Sequence, residues 1–261
     1  MNNWLVQSIQ IANEIDYLDR LFEIYPTIPG GRRIIDDYTW SKIEESFEKG
    51  NNLELIKSLL NLELFPIKDS YVAFLKRDKD SILRNPETIN RLCDRVYEIG
   101  LNELFRICTE PKETNRQIGP MFKNWIANTE FNLERLDINE FLNTNKNAIL
   151  IGSDDEMKSF AIENLGYSHN KGLDFVARVN EKFAIGEAKF LTDFGGHQNA
   201  QFNDAISTIE SPSNSDVIKV AILDGVVYIK STGKMFRNIT NEYKDYNIMS
   251  ALVLKNFLNS L

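Results

Sequence analysis

The fold of this chain is decided by the stretch LDFVARVNEKFAIGEAK, residues 173–189. It contains two strand-like segments, 173–179 and 182–188, rich in β-branched and aromatic residues. The turn-favouring pair Asn180 and Glu181 separates them, which is the pattern of a β-hairpin. We therefore predict that two antiparallel strands pair side by side across this turn.

The register of this hairpin determines which side chains meet. If Val179 faces Lys182 across the turn, the antiparallel pairs that follow bring Asp174 opposite Glu187. Lys189 lies on the face of Glu187, because side chains alternate along a strand. The sequence thus predicts that two carboxylates and one ammonium group converge at the open end of the hairpin.

Such an acidic pair suits a metal ion. Neighbouring carboxylates repel each other, and burial increases the repulsion unless a cation lies between them. Mg²⁺ prefers oxygen ligands and needs only one or two carboxylates, so we expect Asp174, Glu187 and the main-chain carbonyl of Ala188 as its ligands. The ion would polarise a scissile phosphate and lower the pKa of a bound water, while Lys189 would orient that water and stabilise added negative charge.

The same charged residues are also compatible with an ordinary solvated strand face, since an Asp followed later by Glu-x-Lys arises by chance in charged proteins. The residues before Glu187 favour a site instead. Phe183 and Ile185 lie on its face, so the charges end an otherwise apolar stripe, which is a poor place for surface residues.

The chain divides into two parts at about Pro111. From Trp4 to Cys108 apolar residues recur at spacings of three and four, which predicts helices. Helices and strands alternate after that point, which indicates an α/β architecture. We expect a mostly helical region over residues 1–110, for dimer or DNA contacts, and an α/β core over 111–261 in which helices flank a mixed sheet.

Local signals predict the elements of the second half. Gly119 and Pro120 indicate the start of one helix, and Ser153 begins a capping box that opens another, ending at Gly166. The remaining expected elements are a helix at 197–209, strands at 217–223 and 226–229 on either side of Asp224 and Gly225, and a closing helix at 250–258, and residues 148–151 form an apolar run.

Composition limits the classes of function. The 261 residues are 43% hydrophobic and carry a formal charge of −8, which indicates a globular chain and argues against a protein that coats DNA through excess basic charge. Cys93 and Cys108 lack disulfide or zinc spacing, so we expect both in the core. No apolar run approaches the roughly 20 residues that span a bilayer, and no secretory signal is evident, which favours the cytosol.

The residues of the hairpin carry a family resemblance. GLDFV at 172–176 and IGEAKF at 185–190 resemble the PD-(D/E)xK motif of type II restriction endonucleases, with Leu173 where the name of the motif has proline. The order of elements over about 150–230, helix, hairpin, helix and strand, is similar as well. The resemblance implies a restriction-endonuclease-like fold.

The resemblance also implies roles for single residues. In this family the Asp and the Glu bind Mg²⁺ and the Lys lies beside the attacking water, which assigns these roles to Asp174, Glu187 and Lys189. The implied reaction is hydrolysis of double-stranded DNA at a short specific sequence, in a bacterial or archaeal cytoplasm. A palindromic site would match a homodimer, and a cognate DNA methyltransferase would accompany the enzyme.

Polar loops and a helix start supply the candidates for DNA contacts, because Arg can grip phosphate or guanine, and Asn and Gln can bind adenine edges or phosphates. The same residues are also compatible with a purely structural role, in solvated turns or in local hydrogen bonds at a helix start. The candidates are Thr114, Asn115, Arg116, Gln117, Arg32, Arg33, His197, Gln198, Asn199 and Gln201.

Two alternatives remain beside the restriction enzyme. A repair or recombination nuclease of the same fold would read DNA structure, but the basic surface expected of it is missing. A non-catalytic DNA-binding or interaction module would need a degenerate hairpin, whereas Asp174, Glu187 and Lys189 are intact. Incubation with DNA, with and without magnesium, distinguishes the three.

Overall fold

The structure, a computed structural model, describes residues 1–26, 31–111, 117–230 and 233–261. Its helices are α1 (Asn3–Ile11), α2 (Tyr17–Ile24), α3 (Asp37–Glu48), α4 (Asn52–Asn61), α5 (Val72–Arg77), α6 (Ser81–Arg84), α7 (Pro86–Ile99), α8 (Leu101–Cys108), α9 (Ile118–Asn128), α10 (Ile138–Asn143), α11 (Asp154–Leu165), α12 (Gly196–Glu210), α13 (Lys234–Thr240) and α14 (Ala251–Asn259). Its strands are β1 (Glu134–Leu136), β2 (Ala148–Leu150), β3 (Phe175–Val179), β4 (Lys182–Leu191), β5 (Val217–Gly225) and β6 (Ile248–Met249). None of the helices described here is long and apolar enough to cross a membrane.

The chain forms two units, Met1–Thr27 with Thr114–Leu261, and Ile28–Glu113. This differs from the predicted division into 1–110 and 111–261, because the first helices belong to the α/β unit. Their apolar residues explain the difference, since Leu5 of α1 and Leu21 of α2 are buried in the core of that unit. Helical periodicity predicts which face of a helix is buried, but it does not predict the hydrophobic core against which that face packs.

The unit Ile28–Glu113 contains α3 to α8, and all of its regular elements within 31–111 are helices, as predicted. Its core is a cluster of aliphatic side chains that includes Leu55, Leu59 and Val96. Cys93 and Cys108 are buried free thiols in the same cluster, which confirms their expected place in the core.

The α/β unit is built on one mixed sheet, whose six strands within the described residues follow the order β1-β2-β3-β4-β5-β6. The central pair β3 and β4 is the antiparallel hairpin, and β5 and β6 run parallel to β4. Helix α12 connects β4 to β5 and packs against both strands. The predicted fold, a mixed sheet flanked by helices, is therefore confirmed.

The turn of the hairpin confirms the predicted register. Asn180 and Glu181 have positive φ angles of 49° and 67°, as a two-residue type I′ turn requires. The amide of Asn180 also donates to the side chain of Asn147 at 2.8 Å. Val179 pairs with Lys182, and the ladder extends to Phe175 opposite Gly186.

Other local signals are also confirmed. Ser153 and Glu156 form the capping box of α11, and this helix ends at Gly166 in a left-handed conformation. Pro120 lies in the first turn of α9, and Ser250 caps α14 through the amide of Leu252. Each of these signals involves residues that lie within a few positions of each other, so it can be recognised from the sequence alone.

The strand predicted at 226–229 is wrong. Residues Val226–Tyr228 form a 3₁₀ helix, and β5 continues through Asp224 to Gly225. Gly225 has a φ of 87°, and a Cβ there would clash with the carbonyl oxygen of Leu191. The chain thus turns away at a close contact with β4, and the pattern Asp-Gly marks the end of a strand instead of a hairpin.

Candidate active site

The predicted side chains of Asp174, Glu187 and Lys189 meet at the open end of the hairpin, where the pairing of β3 with β4 ends. The amide of Asp174 donates to the carbonyl of Gly186 at 3.1 Å, which extends the ladder by one step and sets Asp174 beside Glu187. Lys189 follows on the same face of β4. Its Nζ lies 2.6 Å from Oε1 of Glu187 and 3.9 Å from Oδ2 of Asp174.

Gly186 makes this arrangement of strands sterically feasible. A Cβ at this position would clash with the main-chain carbonyl oxygen of Val220 on β5. The residue next to Glu187 therefore has to lack a side chain for β4 and β5 to pair as closely as they do.

The three side chains are shielded from solvent without being closed off. The exposed fractions of the side chains are 12% for Asp174, 8% for Glu187 and 23% for Lys189. Phe183 and Ile185 on the same face belong to an apolar cluster, so the predicted apolar stripe ending in charges is confirmed. Acidic groups in such a place need a cationic partner, which Lys189 supplies.

The carboxylate of Asp174 is held by the neighbouring strand β4, because Oδ2 accepts a hydrogen bond from the amide of Ala188 at 3.0 Å. Burial raises the pKa of Asp174 above its usual value, and the charge of Glu187 adds to this effect. Lys189 and the Ala188 amide act in the opposite direction without cancelling it. The ionised form of a carboxyl group with a raised pKa is stabilised by any positive charge that is added beside it.

The ammonium group of Lys189 remains charged. Burial alone would lower its pKa, but the negative charges of Glu187 and Asp174 outweigh burial and raise the pKa above the ordinary lysine value. Asp204 on α12 adds to this increase. The site thus contains a fixed cation beside two acids, with a formal charge of −1 when both acids are ionised.

The donor set fits a hard divalent cation. Within the described ranges no group of three or more His, Cys, Asp or Glu side chains could enclose a metal ion. The candidate donors are therefore the oxygens of Asp174 and Glu187 with the carbonyl of Ala188. Mg²⁺ tolerates such a sparse set, because it keeps waters and substrate oxygens among its ligands.

Further charged residues around this site were not found from the sequence. Lys123 of α9 is paired with Asp154, and its pKa is lowered by burial against the opposing charges of Asp174 and Glu156. Lys171, in the loop before β3, is paired with Asp204. No motif relates either lysine to the acidic pair, so only the folded chain shows that Lys123 lies near Asp174 and that Lys171 pairs with Asp204, whose charge acts on Lys189.

A buried threonine was also missed. The hydroxyl of Thr208 on α12 donates to Oε2 of Glu187 at 2.9 Å, and this residue has no exposed surface. No motif relates the two residues, which are 21 positions apart.

The start of α12 separates the predicted DNA contacts into two groups. Gln198 is buried, and its Oε1 accepts from the amide of Thr192 at 3.1 Å, so this oxygen supports the loop before α12. His197 is exposed, whereas Asn199 and Gln201 are half-buried. Asn199 donates to the carbonyl of Phe194 at 3.0 Å, as expected of a residue near a helix start.

The arginine candidates differ in the same way. Arg32 is exposed. The guanidinium of Arg33 donates to the main-chain carbonyls of Glu110 and Pro111 and lies 3.6 Å from the carboxylate of Glu63, which gives it a structural role in its unit. Gln117 is half-buried before α9, and Thr114, Asn115 and Arg116 lie outside the described residues.

A six-stranded mixed sheet flanked by helices is consistent with the fold of type II restriction endonucleases. The chain belongs to the Tsp45I type II restriction enzyme family, whose model matches residues 2–261. Searches of curated proteins and of solved structures found no match. Membership makes the protein a nuclease that binds DNA, and enzymes of this type generally need a divalent metal.

Proposed function

We propose that this restriction enzyme hydrolyses double-stranded DNA at a short specific sequence, with Mg²⁺ held by Asp174, Glu187 and the carbonyl of Ala188. The observation that carries the proposal is the convergence of Asp174, Glu187 and Lys189 at a shielded but accessible point. The same three residues form the resemblance to the PD-(D/E)xK motif.

The chemistry follows from the charges of these residues. A bound Mg²⁺ would polarise the scissile phosphate and lower the pKa of the attacking water. Asp174 and Glu187 supply the negative charge that retains the ion. Lys189 stays protonated because both acids raise its pKa, so its ammonium donates hydrogen bonds that orient the water and stabilise charge on the phosphate.

DNA contacts are proposed at the candidate residues that are not buried. These are Arg32, Gln117, His197, Asn199 and Gln201, together with Thr114, Asn115 and Arg116, which lie outside the described residues. Gln198 and Arg33 are proposed as supports of the local chain, since the side chain of Gln198 is buried and that of Arg33 is only 8% exposed.

The biological setting completes the proposal. A homodimer would place one catalytic hairpin at each strand of a palindromic site. A cognate DNA methyltransferase in the same bacterial or archaeal cytoplasm would protect the host DNA. The helical unit Ile28–Glu113 is proposed to contribute dimer or DNA contacts.

Incubation with phage and plasmid DNA tests the proposal directly. Discrete fragments with Mg²⁺, and intact DNA after EDTA, are the expected result. A smear or cutting of branched DNA alone would indicate a nuclease that reads structure, and intact DNA in all conditions would indicate a non-catalytic module. Sequencing the ends of discrete fragments then gives the recognition sequence and the cut position.

A further inference from the structure

A fourth side chain is in direct contact with the acidic pair. Thr208 extends from α12 toward β4, has no exposed surface, and donates its hydroxyl hydrogen to Oε2 of Glu187 at 2.9 Å. A hydroxyl aimed at a shielded carboxylate forms a strong, charge-assisted hydrogen bond. The contact therefore fixes one side of the Glu187 carboxylate.

The two oxygens of Glu187 have different partners. Oε1 lies 2.6 Å from Nζ of Lys189, which is also near Asp174, whereas Oε2 faces Thr208 on the helix. A glutamate has three side-chain torsions, and a single ion pair would leave its carboxylate free to rotate. With both oxygens held, Oε1 is directed at Lys189, whose Nζ also lies 3.9 Å from Asp174, and Oε2 is directed at α12.

A purely local role for this hydroxyl does not account for its geometry. Threonine within a helix usually donates to the carbonyl four residues earlier. For Thr208 that acceptor is Asp204, and its distance of 3.3 Å is longer than the 2.9 Å to Glu187. The hydroxyl of Thr208 therefore donates mainly to the charged carboxylate of Glu187, and only weakly to the carbonyl of Asp204.

We propose that Thr208 is a positioning residue, which holds Oε2 of Glu187 so that Oε1 faces the side of Lys189 and is available to a cation. The inference rests on the proposed function, because it assigns Glu187 to metal binding. Thr208 itself touches neither the phosphate nor the attacking water. Loss of a residue that orients a metal ligand typically lowers metal affinity or activity by about 10–100-fold.

Two substitutions isolate the hydroxyl. Thr208→Val keeps the shape of the side chain and removes the donor, so we expect cleavage to fall about 10–100-fold. Mn²⁺, measured by electron paramagnetic resonance on the free protein, should bind more weakly by a similar factor. Thr208→Ser keeps the donor and should restore both cleavage and Mn²⁺ affinity to near the wild-type values.

Thr240 provides the matched control. It is a half-buried helical threonine whose hydroxyl donates to the carbonyl of Phe236, four residues earlier, at 2.7 Å. Thr240→Val should leave cleavage and Mn²⁺ affinity unchanged. Equal losses in Thr208→Val and Thr240→Val would overturn the proposal, because they would trace the effect to the helices.

A further pair of variants protects the test against misfolding. If circular dichroism shows that Thr208→Val does not fold, Thr208→Cys replaces it, since Cys resembles Ser in size but is a weak donor. Cys should then lose Mn²⁺ affinity where Ser retains it. Equal affinities of the two variants would contradict the positioning role.

The variant Glu187→Gln separates this inference from the proposed function. If Glu187→Gln still cleaves DNA and binds Mn²⁺ normally, the proposed role of Glu187 fails and the inference fails with it. If Glu187→Gln is inactive while Thr208→Val matches the wild type, only the inference fails. In support of both, Thr208→Val should have no further effect on Mn²⁺ affinity in the Glu187→Gln protein.

Discussion

The sheet contains buried acids on both of its faces, and their surroundings differ. Asp174 and Glu187 lie on the face of β4 that carries Lys189 and retain some access to solvent. Asp224 pairs with Phe190 in the parallel ladder, so it lies on the opposite face, with no exposed surface. The first acids face a cation, whereas Asp224 has neutral partners.

The neutral partners of Asp224 come from distant parts of the chain. Tyr25 donates to Oδ2 at 2.9 Å, Ser250 donates to Oδ1 at 2.5 Å, and the amide of Ala251 donates to Oδ2 at 3.2 Å. Burial still raises the pKa of Asp224 to about 6, although these donors oppose the effect. Hydrogen bonds alone therefore do not compensate for the loss of water.

The comparison shows that burial of an acid does not by itself mark an active site. A cationic neighbour and an open side distinguish Asp174 and Glu187 from Asp224. Asp224 lacks both, and it connects α2, β5 and α14 as a structural element. The two acidic regions should thus respond oppositely to substitution, one in activity and the other in stability.

The largest expected effect is loss of cleavage. Asp174→Asn, Glu187→Gln and Lys189→Ala should each reduce the cleavage rate by at least about 100-fold, because each removes charge from the reacting centre. Gel assays measure the rate, and circular dichroism should show retained folding. Glu181→Gln, at the exposed turn of the same hairpin, is the control and should cleave normally. Near-normal activity of any of the three variants would refute the role of that residue.

Asp224→Asn should change the pH dependence of stability while leaving cleavage intact. The pKa of Asp224 is about 6 in the folded protein against 3.8 for the ordinary group. The folded state thus retains a proton that the unfolded state loses, so wild-type stability decreases as pH rises from about 4 to 6, by about 3 kcal/mol. Urea unfolding at pH 4, 6 and 8 should show that the variant lacks this decrease. Parallel curves for both proteins would refute the assignment.

A smaller effect is expected from Tyr25→Phe. The substitution removes a hydrogen bond to a buried carboxylate and should destabilise the protein by about 1.5–3 kcal/mol at pH 8. Tyr246→Phe is the control, since its hydroxyl bonds the exposed carboxylate of Glu210 at 3.3 Å and should matter little. Equal losses in urea unfolding would mean that burial does not strengthen the bond.

The parts of the molecule that sequence predicts well are those with short-range causes. The hairpin follows from its turn residues and the alternation of its strands, and Asp174, Glu187 and Lys189 then converge through register alone. Asp224 shows the opposite case. Asp224 and Gly225 are typical turn residues, yet Asp224 belongs to β5 and its partners Tyr25 and Ser250 come from 199 and 26 positions away.

The site has the same division between local and distant causes. Thr208 lies in a polar helix, where nothing in the spacing relates it to Glu187. Gln198 is a residue type that often contacts DNA, but its Oε1 accepts a hydrogen bond from the loop before α12. Which polar groups are already used depends on tertiary packing, and composition does not contain that information.

The missing side chain at Gly186 has an evolutionary consequence. Any larger residue would push β4 away from the carbonyl of Val220 and move Glu187 with it. In a library that randomises position 186 and is selected for cleavage, only glycine should survive, although this residue takes no part in the reaction. A neighbouring main chain thereby restricts the mutations that the hairpin can accept.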